Sequence, residues 1–159
     1  MRIPNLTRYQ LAIEILCFLL TLACIIVTVM VYPSMPEKIP SHYGASGNIT
    51  DYRGRGTAFV LPAVNFFLYA LLTLMICIPS LIENPNTPWP INPAMKPFVA
   101  RETVSLLGEC KLITILIFGY MQIFTLRCTE LSVWPVWLLI VLMTALCIVY
   151  TRRIKKYKI

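Results

Sequence analysis

Four apolar runs, each about as long as a bilayer-crossing helix of roughly 20 residues, leave this chain little choice of fold. They are Leu11 to Tyr32, Ala58 to Ile82, Leu106 to Leu126 and Leu131 to Tyr150. Inside lipid a spanning segment must satisfy its own backbone, so each run is expected to be a helix. The sequence therefore predicts an all-α integral membrane bundle of four transmembrane helices. It forms one domain over residues 1–159, with a structured loop, residues 33–57, between helices 1 and 2. Composition removes the water-soluble alternative. The chain of 159 residues is 58% hydrophobic and 13% charged, against about 45–50% and 25% in soluble domains. So short a chain could not bury that much apolar surface in a core of its own.

The first run is broken only by Glu14 and has no A-x-A-like cleavage site, which predicts a retained helix rather than a signal peptide. The second contains Pro62, Asn65 and Pro79, which could kink or glue the bundle. The segment from Glu83 to Thr103 is dense in proline and reads as extended and turn-rich. A helix is expected to restart near Pro97 and run along the interface before entering the membrane.

A net charge of +7 could suggest nucleic acid, but the basic residues are not spread over a surface. Arg152, Arg153, Lys155, Lys156 and Lys158 crowd the end of the chain, where a membrane protein keeps cytoplasmic charge. The expected partner is the lipid bilayer, with no nucleic acid. Four crossings place both termini on one side. With them go Arg2, Arg8, Lys96, Arg101 and the five tail residues, nine basic groups. Lys38, Arg53, Arg55 and Arg127, four groups, lie on the other side. Both termini are thus expected in the cytoplasm, with loop 33–57 facing outward. Tyr9, Tyr32, Trp134 and Tyr150 fall at helix ends, where amphipathic rings prefer the interface. The six cysteines form no C-x-x-C pair, and only Cys128 is expected to be exposed, so neither a metal ribbon nor a disulfide framework is expected.

Chemistry concentrates in the first loop, where Pro33, Pro36 and Pro40 stiffen one half and Gly44, Gly47, Gly54 and Gly56 permit turns in the other. It holds the single histidine, His42, with Glu37, Tyr43, Asp51, Tyr52, Arg53 and Arg55. Three readings of His42 stand side by side: a hydrogen bond across the folded loop, direct contact with a partner, or a metal site with Asp51 and Glu37. The last matches no common ligand spacing, and no metal or other cofactor is expected. The N-I-T at Asn48 and N-L-T at Asn5 read as chance matches to a glycosylation signal.

The stretch M-P-E-K-I-P-S-H-Y-G-A-S-G-N-I-T-D-Y-R-G-R-G-T-A-F-V-L-P resembles the signature of a bacterial membrane family, domain-of-unknown-function family 1648. Pro36, Ile39, Pro40, His42, Tyr43, Gly44, Gly47, Tyr52 and Pro62 align without gaps. Arg55 stands where that family usually has lysine, Thr50 where it usually has aspartate, and Asp51 one place later. The resemblance covers about residues 10–82. The same domain occurs in immunity proteins of the sporulation-delaying-protein type, which protect a producing cell from a secreted toxic peptide. The resemblance thus implies a bacterial cytoplasmic-membrane protein of immunity or sensing type. Its outer loop would recognise a secreted peptide or another membrane protein, through His42, Tyr43, Asp51, Tyr52 and Arg55.

Intramembrane charge makes a second candidate site. Glu14 and Lys111 fall at similar depth, near the cytoplasmic ends of helices 1 and 3, and are expected to pair, since a charge in lipid normally finds a partner. The alternative is that Glu14, Glu109 and Lys111 all snorkel to the interface. An enzyme is not expected, because no metalloprotease, phosphate-loop or hydrolase motif is present. A small transporter or channel subunit is the competing reading. It needs polar groups near mid-membrane, where helix 2 offers mostly Phe, Leu and Ala.

Overall fold

The computed structural model describes residues 6–85 and 87–159; Arg2 and Asn5 lie outside that range. Among the described residues five α-helices and one hairpin follow in order: α1 Arg8–Val31, β1 Lys38–Tyr43, β2 Ile49–Gly54, α2 Val60–Ile76, α3 Pro79–Glu83, α4 Lys96–Arg127 and α5 Trp134–Lys155. The helical stretches Arg8–Ser34, Arg55–Ile76, Pro93–Arg127 and Trp134–Lys155 are long and apolar enough to cross a membrane. The chain is a multi-pass membrane protein.

Proline and capping chemistry set the helix limits. Thr7 caps α1, its Oγ1 accepting from the Gln10 backbone N–H while Gln10 Oε1 accepts from that of Thr7. Pro33 follows the end of α1 in a short 3₁₀ turn. Pro97 and Pro135 sit in the first turns of α4 and α5, where a missing N–H costs nothing. The second apolar run differs from expectation. It is not one helix to Ile82: α2 stops at Ile76, and Pro79 opens the short α3. Proline disfavours helical geometry in the residue before it, and Ile78 is extended.

The third run is entered from a helix that starts well before it, as expected. α4 begins at Lys96 and continues unbroken to Arg127. At ~1.5 Å per residue its 32 residues reach ~48 Å, more than the ~30 Å apolar core of a bilayer. The helix expected to restart near Pro97 does so, and it is continuous with the spanning helix. It is held by Val104, which packs with Ile76 and Ile82 against Leu6, Ala100 and Leu107. Its far end closes on Cys128, whose φ of 53° places a non-glycine residue in the left-handed region.

α1 and α4 run parallel with α2 beside them, while α5 packs on α4. Tyr9 of α1 and Tyr150 of α5 both donate to Glu109 Oε1, at 2.9 and 2.6 Å. That brings the N-terminal end of α1 and the C-terminal end of α5 to the same end of the bundle. The tail pairs back on the α3–α4 connection, with the Asn92 N–H donating to the Tyr157 carbonyl at 3.0 Å. The hairpin lies at the opposite end. Cys147, not Cys128, is the exposed cysteine: it faces outward on α5, while Cys128 is half-buried beneath the hairpin base.

Candidate functional site

The loop 33–57 folds as an antiparallel hairpin with an irregular ladder. Pro40 pairs with Tyr52 and His42 with Asp51, which leaves Ser41 as an extra residue in β1; Tyr43 then pairs with Ile49, which leaves Thr50 extra in β2. These two bulges offset one another and re-aim the side chains around them. Pro40, which cannot donate to a ladder, sits at the irregularity. Ser41 and His42 can then both face Asp51.

Asp51 is the hub of the exposed face. Its Oδ2 accepts from Ser41 Oγ at 3.0 Å and from Arg53 Nε at 3.2 Å, and lies 3.7 Å from His42 Nδ1. Arg53 reaches it because residues two apart on a strand share a face. The Ser41 hydroxyl first, then the Arg53 guanidinium, hold the Asp51 carboxyl below its ordinary value of 3.8. The sign follows from that direction: a depressed carboxylate stabilises the hairpin above pH 3.8 and ceases to as pH falls through the lower, folded value. An NMR titration should therefore place the Asp51 midpoint below 3.8, and Ser41→Ala should raise it. A midpoint that Ser41→Ala leaves in place would refute the assignment.

The other loop residues are not gathered there. Tyr43 turns toward the bundle, half-buried, its hydroxyl 3.5 Å from Thr125 Oγ1, and burial pushes its phenol above 10. Tyr52 stands exposed. Arg55 lies apart at the hairpin base, its guanidinium 5.1 Å from the centroid of the Tyr32 ring, a cation–π distance. Glu37 contributes its backbone carbonyl to the Arg55 N–H at 2.9 Å. Among the described residues no three His, Cys, Asp or Glu side chains come together as a cation-binding group.

The hairpin is clamped at tip and base. Gly47, at φ +88°, accepts at its carbonyl from the Leu131 N–H at 2.9 Å, seating the turn on the α4–α5 connection. At the base Met35, Ile39 and Ala58 bury against Val31, Tyr32, Leu126 and Cys128. An isolated two-stranded hairpin is marginal in water; this apolar seat supplies what it lacks.

At the other end Glu14 and Lys111 meet. Lys111 is fully buried, its Nζ donating to Glu14 Oε2 at 2.6 Å, to Glu14 Oε1 and to Thr73 Oγ1 at 2.9 Å. Three donors thus have three acceptors, and the Tyr69 ring lies 5.0 Å away. Lys111 does not snorkel. Between this pair and the hairpin the core carries further polar side chains, of which the sequence reading had singled out only Asn65. Gln122 Nε2 donates to the Cys24 carbonyl at 2.7 Å and to Thr28 Oγ1 at 2.6 Å. Asn65 Nδ2 points to Cys24 Sγ at 3.8 Å and the Ile115 carbonyl at 3.5 Å. Gln10, Asn65 and Gln122 and the hydroxyls of Thr21, Thr28 and Thr125 are all buried. The missed signal was spacing: Gln10, Glu14, Thr21 and Thr28 recur every four or seven residues, one face of a helix.

No curated protein and no solved structure matches the chain. One family model does, over residues 19–66, narrower than the stretch of resemblance read from the sequence. Those residues run from α1 through the hairpin into α2, take in Asn65 and leave out Glu14 and Lys111. The hairpin and the helix segments that carry it match the model of the DUF1648 family, described as a domain of unknown function.

Proposed function

We propose that this is a binding protein of immunity or sensing type in a bacterial cytoplasmic membrane. Its termini face the cytoplasm and its hairpin faces outward to recognise a secreted peptide or another membrane protein. One observation carries the reading: the hairpin is held at tip and base while His42 and Arg53 keep 63% and 61% of their side chains exposed. A surface ordered before it meets a partner loses less entropy on binding. The orientation rests on the excess of basic residues at the end opposite the hairpin. Growth of a sensitive bacterium under challenge with secreted antimicrobial peptides tests it. Protection is expected from the wild type and lost in His42→Ala at matched membrane levels. No protection by well-inserted wild type against any peptide would sink it.

A second reading, a small transporter or channel subunit, is favoured by the buried polar stripe along α1, α2 and α4. Solute or ion flux into proteoliposomes tests it against empty liposomes.

A further inference from the structure

Three buried oxygens in the middle of the bundle have no hydrogen-bond partner among the described residues: Thr21 Oγ1, Asn65 Oδ1 and Gln122 Oε1. Their residues are 3%, 0% and 3% exposed. Each unmatched buried polar atom costs about 1–3 kcal/mol, and in lipid there is no bulk water to relieve it. Thr21 lies about 20 Å along α1 from Arg8, near mid-membrane. A threonine inside a helix ordinarily donates to the carbonyl four residues back. Thr28, Thr103, Thr114 and Thr144 do so, each at 2.9 to 3.0 Å. Thr21 does not; its hydroxyl has no partner among the described residues.

Two of these groups meet at one point of α1, and the third lies one turn away along the same helix. Asn65 of α2 and Gln122 of α4 both approach α1 at Cys24, one at its sulfur and the other at its carbonyl. Thr21 lies three residues before Cys24 on α1, and the amide nitrogens of Asn65 and Gln122 already have their partners. What remains is two acceptor-only carbonyl oxygens and one hydroxyl. Such a set repels an anion and suits a small species that donates hydrogen bonds or carries positive charge.

We propose that the core between α1, α2 and α4 is a binding site for water or a monovalent cation, held by Thr21, Asn65 and Gln122. It lies between the Tyr43–Thr125 contact under the hairpin and the Glu14–Lys111 pair. A buried water makes about three hydrogen bonds to otherwise unmatched groups, and three unmatched oxygens lie in this stretch of the core. The site stands whatever the hairpin recognises.

The chain has glutamine only at positions 10 and 122, which makes a clean test. In the full-length protein, ¹⁵N-glutamine labelled and in lipid nanodiscs, Gln10→Glu leaves Gln122 as the one labelled side chain and keeps an acceptor for the α1 cap. A water cross-peak at the Gln122 amide protons, unchanged when Na⁺ is replaced by N-methyl-glucamine, is the expected result and identifies water. A saturable shift with Na⁺ or K⁺ identifies a cation at the same site. Thr21→Val, which keeps the shape and removes one of about three hydrogen bonds, should weaken the water or cation signal about twofold. Neither a water cross-peak nor an ion-dependent shift would overturn the proposal, as would signals indifferent to Thr21→Val.

Discussion

Lys111→Met is expected to destabilise the bundle by about 3–5 kcal/mol, the usual cost of removing one partner from a buried ion pair. The reason lies less in the lost attraction than in what stays behind. Lys111 supplies both hydrogen bonds to the Glu14 carboxylate and a third to Thr73, all beneath a surface from which Lys111 itself is excluded. Without the ammonium, Glu14 keeps a charge in a largely dry site or must take up a proton. Glu14→Gln with Lys111→Met together should therefore cost much less than the sum of the two single changes. A coupling on the order of 2–3 kcal/mol is expected. Denaturant midpoints of all four proteins in mixed micelles supply the cycle. Additive costs would mean the pair is incidental to the fold.

Gly47→Ala should detach the hairpin from the bundle while the four spanning helices remain. A Cβ at position 47 would lie 1.8 Å from the Leu131 carbonyl oxygen, and the backbone there is at φ +88°. The obstacle is backbone on one side and conformation on the other, so no side-chain adjustment relieves it. The left-handed region costs an L residue about 1–2 kcal/mol, and the lost Leu131 N–H bond about another 1. A local penalty of about 2–3 kcal/mol corresponds to roughly 30- to 150-fold faster hydrogen exchange at Leu131. Gly56→Ala is the control, since a Cβ there meets nothing within 4 Å. Unchanged exchange at Leu131 in Gly47→Ala would show that the turn does not depend on this seat. If the hairpin binds a partner, the same variant should weaken that binding, because a tethered hairpin loses its order before it meets anything.

The helices were legible because lipid allows so few solutions. A run of about 20 apolar residues has one way to satisfy its backbone there, so Leu11–Tyr32 and Leu131–Tyr150 gave their helices to within a few residues. The misjudged boundary falls where hydropathy stops informing. Pro79 broke the second run at a point no less apolar than its neighbours, whereas the start of α4 beside Pro97 was legible from the proline itself.

The loop was legible as an ordered element from its glycines and prolines, and His42 and Asp51 do face each other across it. Its strands were not, because the ladder carries two bulges, and pairing that slips by one residue erases the alternation that marks a strand. Nor could Tyr43 and Arg55 be separated from that face, since their partners, Thr125 and Tyr32, lie on helices α4 and α1.

What the sequence determined by itself is what local chemistry enforces: spanning helices from length and apolarity, their starts from proline and Thr7, and a turn where Gly47 permits positive φ. The tertiary structure decided which polar groups meet. Glu14 with Lys111, Gln122 with Thr28, and Gly47 with Leu131 are contacts 84 to 97 residues apart. Their formation depends on α1 and α4 lying parallel at one register, a relation of two rigid helices that neither strip of sequence contains alone.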